Sequence, residues 1–179
     1  MFCPHEVAEI LFETQMVTVR VLRKMNFKVC GIDLSQYGEG DKCRLPLWLA
    51  KTLNEEGFVR IEDDNFLSLT ELNKTLWKDQ HSSTPLQLPE DFYLKVRLTL
   101  SNLSENPKDP SLDRELNAID MCFEDLVNVR LQKVFQAVRL GVDVTDFIKS
   151  LVIEERILYR RLSRMLLDWI KLVRGASQR

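Results

Sequence analysis

The sequence has few of the residues and motifs on which catalytic and metal sites depend. Its 179 residues include two histidines and six glycines, with no glycine-rich phosphate loop, no Walker lysine and no nucleophile elbow. These absences argue against an enzyme, and we expect no cofactor, no metal and no small-molecule substrate. The four cysteines include no CxxC pair and are most simply reduced, small apolar side chains: Cys3, Cys30, Cys43 and Cys122.

Three short patterns leave narrower alternatives open. Cys3-Pro4-His5 could begin a metal site, although the other histidine is His81 and no carboxylate cluster has the spacing of a ligand set. Cys30 and Cys43 flank a loop and could meet, but two reduced core thiols suit an intracellular chain better. The acidic run Glu62–Asp64 could hold a metal, and we interpret it instead as a solvated turn after a strand.

The sequence also lacks a long apolar run and a strong excess of either charge. No stretch approaches the ~18 apolar residues of a membrane span, and the acidic start "MFCPHEVAEILFETQ" has no signal-peptide features. We therefore expect no membrane contact and an intracellular location, which is the cytoplasm or nucleoid in an archaeon and the nucleus in a eukaryote. The 25 basic and 27 acidic residues nearly balance, so any contact with nucleic acid should be regional, and either indirect or weak.

From Met1 to about His81 the hydrophobic pattern is mixed. In "MVTVRVL", Val17, Val19 and Val21 alternate with polar residues, as in a strand with one buried face. A second β-like run, "FKVCGIDL", follows, and "SQYGEGDK" is typical of a loop. This part of the chain is expected to contain a short antiparallel sheet.

The stretch "RLPLWLAKTLNEEG" predicts an amphipathic helix. Pro46 suits its first turn, where a missing N–H costs no hydrogen bond, and Gly57 ends it. The strand "FVRIED" follows, and Ser68 or Thr70 with Glu71 caps a second helix, "SLTELNKTLWKDQ". The apolar residues predicted to line one side are Leu47, Leu49, Ala50 and Leu53 in the first helix and Leu69, Leu72, Leu76 and Trp77 in the second.

The segment "HSSTPLQLPED" separates this part from an almost wholly helical remainder. Three helices are predicted there: "EDFYLKVRLTLSNL", a long helix that Gly141 ends, and a third that begins at a cap, Thr145 or Asp143, and continues to "KLVRG". The predicted fold class is α+β, predominantly α. A small mixed domain with a short antiparallel sheet (residues 1–81) precedes a C-terminal helical bundle (residues 82–179).

The last predicted helix is apolar over more than one face. Spacings of three and four give a stripe that is apolar except at Glu155, and comprises Ile148, Leu151, Glu155, Leu158, Leu162, Met165, Trp169 and Leu172. Further apolar residues lie off that stripe, so one neighbouring helix cannot cover the surface, and a partner chain is expected. The same helix carries four arginines at helical spacing, which we interpret as a solvated face although they could follow a nucleic-acid backbone: Arg156, Arg160, Arg161 and Arg164.

The stretch "LPLWLAKTL" followed by a short strand resembles a signature of the GINS family, components of the replicative helicase assembly. "EVAEILFETQMVTV" is similar to that family's opening helix and strand. The segment "STPLQLPEDFYLKVRLTLSNL" and the long helix after it are similar in layout to its linker and first bundle helices. The order of the domains resembles one of the two GINS arrangements, and the lack of a long polar tail favours an archaeal-type subunit.

The resemblance implies a non-enzymatic structural subunit. GINS subunits form a tetramer, commonly two copies of each of two sister subunits, which joins the MCM helicase and a Cdc45- or RecJ-like protein. The resemblance further implies a small docking domain whose core includes Pro46, Leu47, Trp48, Leu49 and Leu53, with Trp48 as the large anchor. The residues expected at the subunit interface are Leu131, Phe135, Leu158, Leu162, Met165 and Trp169. The alternative is a stand-alone nucleic-acid-binding module that uses the arginines of the last helix.

Overall fold

The computed structural model describes residues 4–104, 110–141 and 145–175. A small antiparallel sheet lies in the N-terminal part and helices make up the rest, which confirms the predicted fold class, α+β and predominantly α. Two sequence-based expectations, a metal ligand at Cys3 and a helix cap at Asp143, lie outside the described residues. The elements are α1 (Pro4–Thr14), β1 (Met16–Val21), β2 (Lys28–Val29), β3 (Ile32–Asp33), β4 (Lys42–Pro46), α2 (Leu47–Glu55), β5 (Val59–Ile61), α3 (Leu69–Gln80), α4 (Phe92–Ser104), α5 (Pro110–Leu140), α6 (Thr145–Ser150) and α7 (Ile153–Val173).

The chain divides into two compact units. The first consists of Met1–Leu67 and Tyr93–Thr99, and the second of Ser68–Phe92 and Leu100–Arg179. The expected boundary between residues 81 and 82 lies inside the second unit. This difference arises because α3 buries Leu72 and packs along α5, so the helix that precedes the proline-rich segment belongs to the bundle.

The first unit is built on a three-stranded antiparallel sheet with the order β4-β1-β5. Val17, Val19 and Val21 of the central strand are buried, as their alternation predicts. They share a core with the buried side of α2, which presents four apolar residues to it: Leu47, Leu49, Ala50 and Leu53. The amphipathic pattern of α2 therefore indicated its buried side correctly.

Strand β4 was missed by the sequence analysis, which treated Lys42 as loop and Arg44 as the start of a helix. Cys43 and Leu45 are buried while Lys42 and Arg44 point outward, and the strand pairs with β1 along its whole length. Pro46 is the last residue of this strand and the N-cap of α2, with φ −57° and ψ 143°, and is not in the helix's first turn. The sequence pattern did not predict this strand because only two apolar residues alternate before the proline.

The run "FKVCGIDL" forms a small hairpin, β2-β3, and not one strand. Its turn is made by Cys30 and Gly31, both at positive φ (47° and 83°). Cys30 is exposed, so the expectation of a core thiol is wrong there, whereas Cys43 and Cys122 are buried. Burial is the main cause that raises the pKa of both buried thiols, which favours their protonated form.

The second unit contains α3, the long helix α5, and α6 with α7. Ser68 caps α3 by accepting from the backbone N–H of Glu71, whose carboxylate accepts in return from the Ser68 N–H, so the predicted capping box is confirmed. Gly141, at φ +63°, follows the last residue of α5 as predicted.

No helix in the described ranges has the length and apolar character required to cross a membrane.

The third predicted helix of the bundle is interrupted. Leu151 and Val152 separate α6 from α7, and Val152 is extended, with φ −74° and ψ 169°. The N–H of Val152 donates to the carboxylate of Glu155 at 3.2 Å, which caps α7. The prediction of one continuous helix was wrong because Leu151 and Val152 continue the apolar pattern through the break, where both are buried.

Candidate assembly surface

Helix α7 is buried mainly over its N-terminal half, although Leu166 and Ile170 are partly buried further along. Tyr159 is buried in a cluster with side chains of α5, and Leu162 packs against that cluster. Beyond Leu162, Met165 is 67%, Trp169 59% and Leu172 78% exposed. These three residues have the spacing i, i+4, i+7 and therefore lie on one face of the helix. We call them the α7 apolar end.

Exposed apolar side chains are not confined to this face. Leu167 and Val173 of α7 are also exposed, as are Met121, Phe135 and Leu140 of α5. Single exposed apolar residues are ordinary on a protein surface, but several on one helix end indicate a surface that another molecule covers. The described residues of the bundle thus leave apolar surface open to solvent.

The residues expected at a subunit interface fall into two groups. Phe135, Met165 and Trp169 are exposed, while Leu131, Leu158 and Leu162 are partly buried. Leu162 contacts the hydrophobic core of its own chain, so a charge at this position would disturb the bundle as well as any interface. The exposed group is therefore the informative one for tests of assembly.

A buried charge cluster, comprising Asp79, Arg130, Lys133 and Glu155, lies inside the second unit. Arg130 is 1% exposed, and its guanidinium binds both carboxylate oxygens of Glu155, with Nε–Oε1 at 2.5 Å and Nη2–Oε2 at 2.7 Å. Arg130 Nη1 also donates to the backbone carbonyl of Leu86 at 3.0 Å. The pairing is bidentate, a geometry that fixes the orientation of both side chains.

Asp79 is the second buried carboxylate of this cluster. Its Oδ1 accepts from the Leu86 N–H at 2.5 Å and lies 3.1 Å from Lys133 Nζ and 3.4 Å from Arg130 Nη1. Lys133 Nζ also donates to the carbonyls of Asp79 and Thr84. The cluster therefore ties α3, the segment around Thr84–Leu86, α5 and the start of α7 to one another.

Sequence reasoning missed this cluster. One signal for it was present, because Glu155 was the single polar residue in the apolar stripe of the last helix. Arg130 is a second such signal, because it interrupts the apolar stripe of α5 between Leu126 and Val134, whereas nothing in the local pattern marked Asp79, which stands between Lys78 and Gln80. The pairing within the cluster depends on the packing of three helices and could not be read from periodicity.

The four arginines of α7 have different surroundings. Arg156 is partly buried and forms an ion pair with Glu90, so it serves the bundle. Arg160, Arg161 and Arg164 are exposed and make no ion pair with the described residues. The structure thus leaves three of the four arginines open to an anionic partner.

Two tryptophans differ from their expected roles. Trp48 is only partly buried. It packs against the core of the first unit from outside that core, so it is not the large buried anchor that was expected. Pro46 is likewise partly exposed. Trp77, expected on the buried side of α3, is 61% exposed, and its ring centroid lies 4.5 Å from that of His81. Leu72 is the buried apolar residue of that helix.

The acidic run after β5 is not wholly a solvated turn. Glu62 is bound to Arg20 and Lys42, each at 2.6 Å, while Asp63 and Asp64 are exposed. The hydrogen bonds from Arg20 and Lys42 lower the pKa of Glu62 to about 2. Within the part of the chain that the structure describes, no three His, Cys, Asp or Glu side chains are grouped as metal ligands would be.

A helical bundle with an uncovered apolar helix end, following a small sheet-containing unit, defines a class of subunit that assembles with other chains. Residues 60–174 match the family model described as the GINS complex protein helical bundle domain, Sld5. The match covers more than half of the chain, and the chain belongs to the GINS family, whose members take part in DNA replication within the replicative helicase complex. A comparison of the chain with curated proteins found no significant match.

Proposed function

We propose that this chain is a non-enzymatic structural subunit of a GINS complex, of the archaeal type that has its sheet-containing part first. It joins a sister subunit through the α7 apolar end and exposed residues of α5 such as Phe135. The assembly is a tetramer with two copies of each of two subunits. It supports chromosomal replication by joining the MCM helicase and a Cdc45- or RecJ-like protein.

The α7 apolar end carries this proposal. Met165, Trp169 and Leu172 are each more than half exposed, although each is large and apolar. Burying a side chain of this size contributes about 1.5–3 kcal/mol relative to leaving it in water. Three such side chains supply a substantial part of the free energy of association of a stable complex, which is about 8–12 kcal/mol for micromolar to nanomolar affinity.

The first unit serves as the docking unit. It has a hydrophobic core of its own, to which the sheet, α2 and residues Leu94 and Leu98 of α4 contribute. The family match begins at residue 60 and so leaves most of this unit outside it. A docking role for the first unit rests on the resemblance of its helix and strand pattern to the family.

A pair of charge-introducing variants tests the proposed interface. Trp169→Asp places a carboxylate on the α7 apolar end and should abolish co-purification with the sister subunit, since a buried unpaired charge costs several kcal/mol. Lys171→Asp is the matched control, because two residues further along α7 the side chain lies on the opposite, polar side. Circular dichroism of both variants shows whether the fold is kept. Full assembly of the folded Trp169→Asp variant would place the interface elsewhere.

A stand-alone nucleic-acid-binding module is the second candidate function. It is favoured by the three exposed arginines of α7 that make no ion pair with described residues: Arg160, Arg161 and Arg164. Such a module would be monodisperse alone and bind DNA with a steep salt dependence. A scaffold subunit would be aggregated alone and become a defined tetramer with its sister subunit.

A further inference from the structure

The outward face of the sheet in the first unit carries a group of cations. Arg20 of β1, Lys42 and Arg44 of β4, and Arg60 of β5 all point away from the buried valines. The side chains of Arg20 and Lys42 are 43% and 50% exposed, and Arg44 and Arg60 are exposed residues. We call these four residues the cationic sheet face.

The strand register places these cations side by side. Arg20 lies directly opposite Lys42 on one side and Arg60 on the other, and Arg44 lies opposite Thr18. Like charges on directly opposed residues destabilise a sheet. The arrangement therefore works against the stability of the isolated fold, in a chain whose acidic residues outnumber its basic ones by 27 to 25.

One carboxylate compensates part of this charge. Glu62, which follows β5, binds Arg20 and Lys42 at 2.6 Å each and is thereby fully engaged. Arg44 and Arg60 form no ion pair with any described residue. Arg44 Nη2 donates one long hydrogen bond, of 3.5 Å, to the Met16 carbonyl, which leaves its charge uncompensated. Two guanidinium groups are thus exposed on one face of the sheet, with their charge available to an anionic ligand.

We propose that the cationic sheet face binds the phosphodiester backbone of a nucleic acid. Exposed guanidinium groups bind phosphate oxygens bidentately, and the Thr18 hydroxyl between Arg44 and Glu62 is a further donor. The centre of the face offers no aromatic or large apolar side chain, whereas a protein partner usually needs such an anchor; Met16 and Pro46 lie at one end of it. Binding is accordingly independent of base sequence.

This inference is independent of the α7 interface, because it rests on the first unit alone. The test uses the full chain and a fluorescein-labelled oligothymidylate, with a labelled duplex of equal length as a second probe. Fluorescence anisotropy is measured across a salt titration for the wild type and for the double variant Arg44→Gln/Arg60→Gln. The double variant Arg160→Gln/Arg164→Gln, with the same change in charge, tests the alternative contact on α7.

The slope of the logarithm of the binding constant against the logarithm of the salt concentration is negative. Loss of two phosphate contacts should reduce its magnitude by about 1.4 for the single strand and about 1.8 for the duplex. At about 0.1 M salt this corresponds to a roughly 25- to 60-fold loss of affinity. The probe that the wild type binds more tightly at the same salt concentration, and that loses affinity in the sheet variant, identifies which nucleic acid the face prefers. The thermal midpoint of the sheet variant should be unchanged or higher, since Arg60 lies opposite Arg20.

Unchanged affinity and slope in the sheet variant would overturn the proposal, and loss confined to the Arg160→Gln/Arg164→Gln variant would move the contact to α7. Displacement of the oligonucleotide by polyglutamate as readily as by unlabelled oligothymidylate would also overturn it, because the face would then fit an acidic protein. Co-purification of the sheet variant with the sister subunit should be unaffected, which separates this result from the test of assembly.

Discussion

Removal of Arg130 tests the buried charge cluster of the second unit. In Arg130→Met, Glu155 loses both guanidinium hydrogen bonds and remains buried, and the Leu86 carbonyl loses a donor. Breaking a buried ion pair by removing one partner costs about 3–5 kcal/mol. This is a large part of the ~5–15 kcal/mol by which a domain is usually stable. Urea unfolding followed by circular dichroism should therefore show a midpoint shift to much lower urea.

The double variant Arg130→Met/Glu155→Met is the control for this prediction. Replacing both members of the pair removes the unpaired charge and should restore much of the stability, although the Val152 N–H loses its cap and Asp79 keeps Lys133 alone as a charged neighbour among the described residues. The cluster would be irrelevant to stability if the single variant lost less than about 1 kcal/mol and the double variant were no more stable than the single one.

Three further changes test local features. Trp48→Ala should cost about 1–2 kcal/mol in urea unfolding, because the partly exposed ring loses less than the ~3–5 kcal/mol of a fully buried aromatic; a loss in that higher range would show a buried anchor. Ser68→Ala removes the α3 cap and should cost about 1 kcal/mol by the same measurement, whereas an unchanged midpoint would show that the capping box contributes nothing. The pKa of Glu62 is lowered from 4.5 to about 2, so its carboxylate stabilises the fold above pH 4.5 and this contribution is lost as the pH falls through about 2; the difference in thermal midpoint between wild type and Glu62→Gln should shrink over that range, and a constant difference would contradict it.

The predictions of secondary structure and burial were most accurate where one hydrophobic period, that of a strand or of a helix, dominates a segment. The alternation of Val17, Val19 and Val21 and the apolar side of α2 corresponded to buried faces, and Gly141 marked the end of α5. The capping box at Ser68 was recognised from the spacing of three residues between Ser68 and Glu71. The two residues form the reciprocal hydrogen bonds that this spacing predicts. These are local patterns, and local geometry alone determines them.

What escaped prediction depends on contacts between distant segments. Strand β4 is defined by pairing with β1, and its own two apolar residues give little alternation. The break before α7 depends on a cap from Glu155, and that same carboxylate is held by Arg130, 25 residues earlier. Trp48 and Trp77 have apolar rings, but only the packing of neighbouring elements decides how much of each ring is covered.

The mass of the chain in solution, alone and co-expressed with its sister subunit, tests the proposed assembly most directly. If the α7 apolar end is a subunit interface, the co-expressed complex should have the mass of two copies of each subunit, and the chain alone should aggregate. The Trp169→Asp variant should not form the complex, and the Lys171→Asp variant should. A monodisperse monomer, alone and in the presence of the sister subunit, would contradict the proposal that this chain is an assembly subunit.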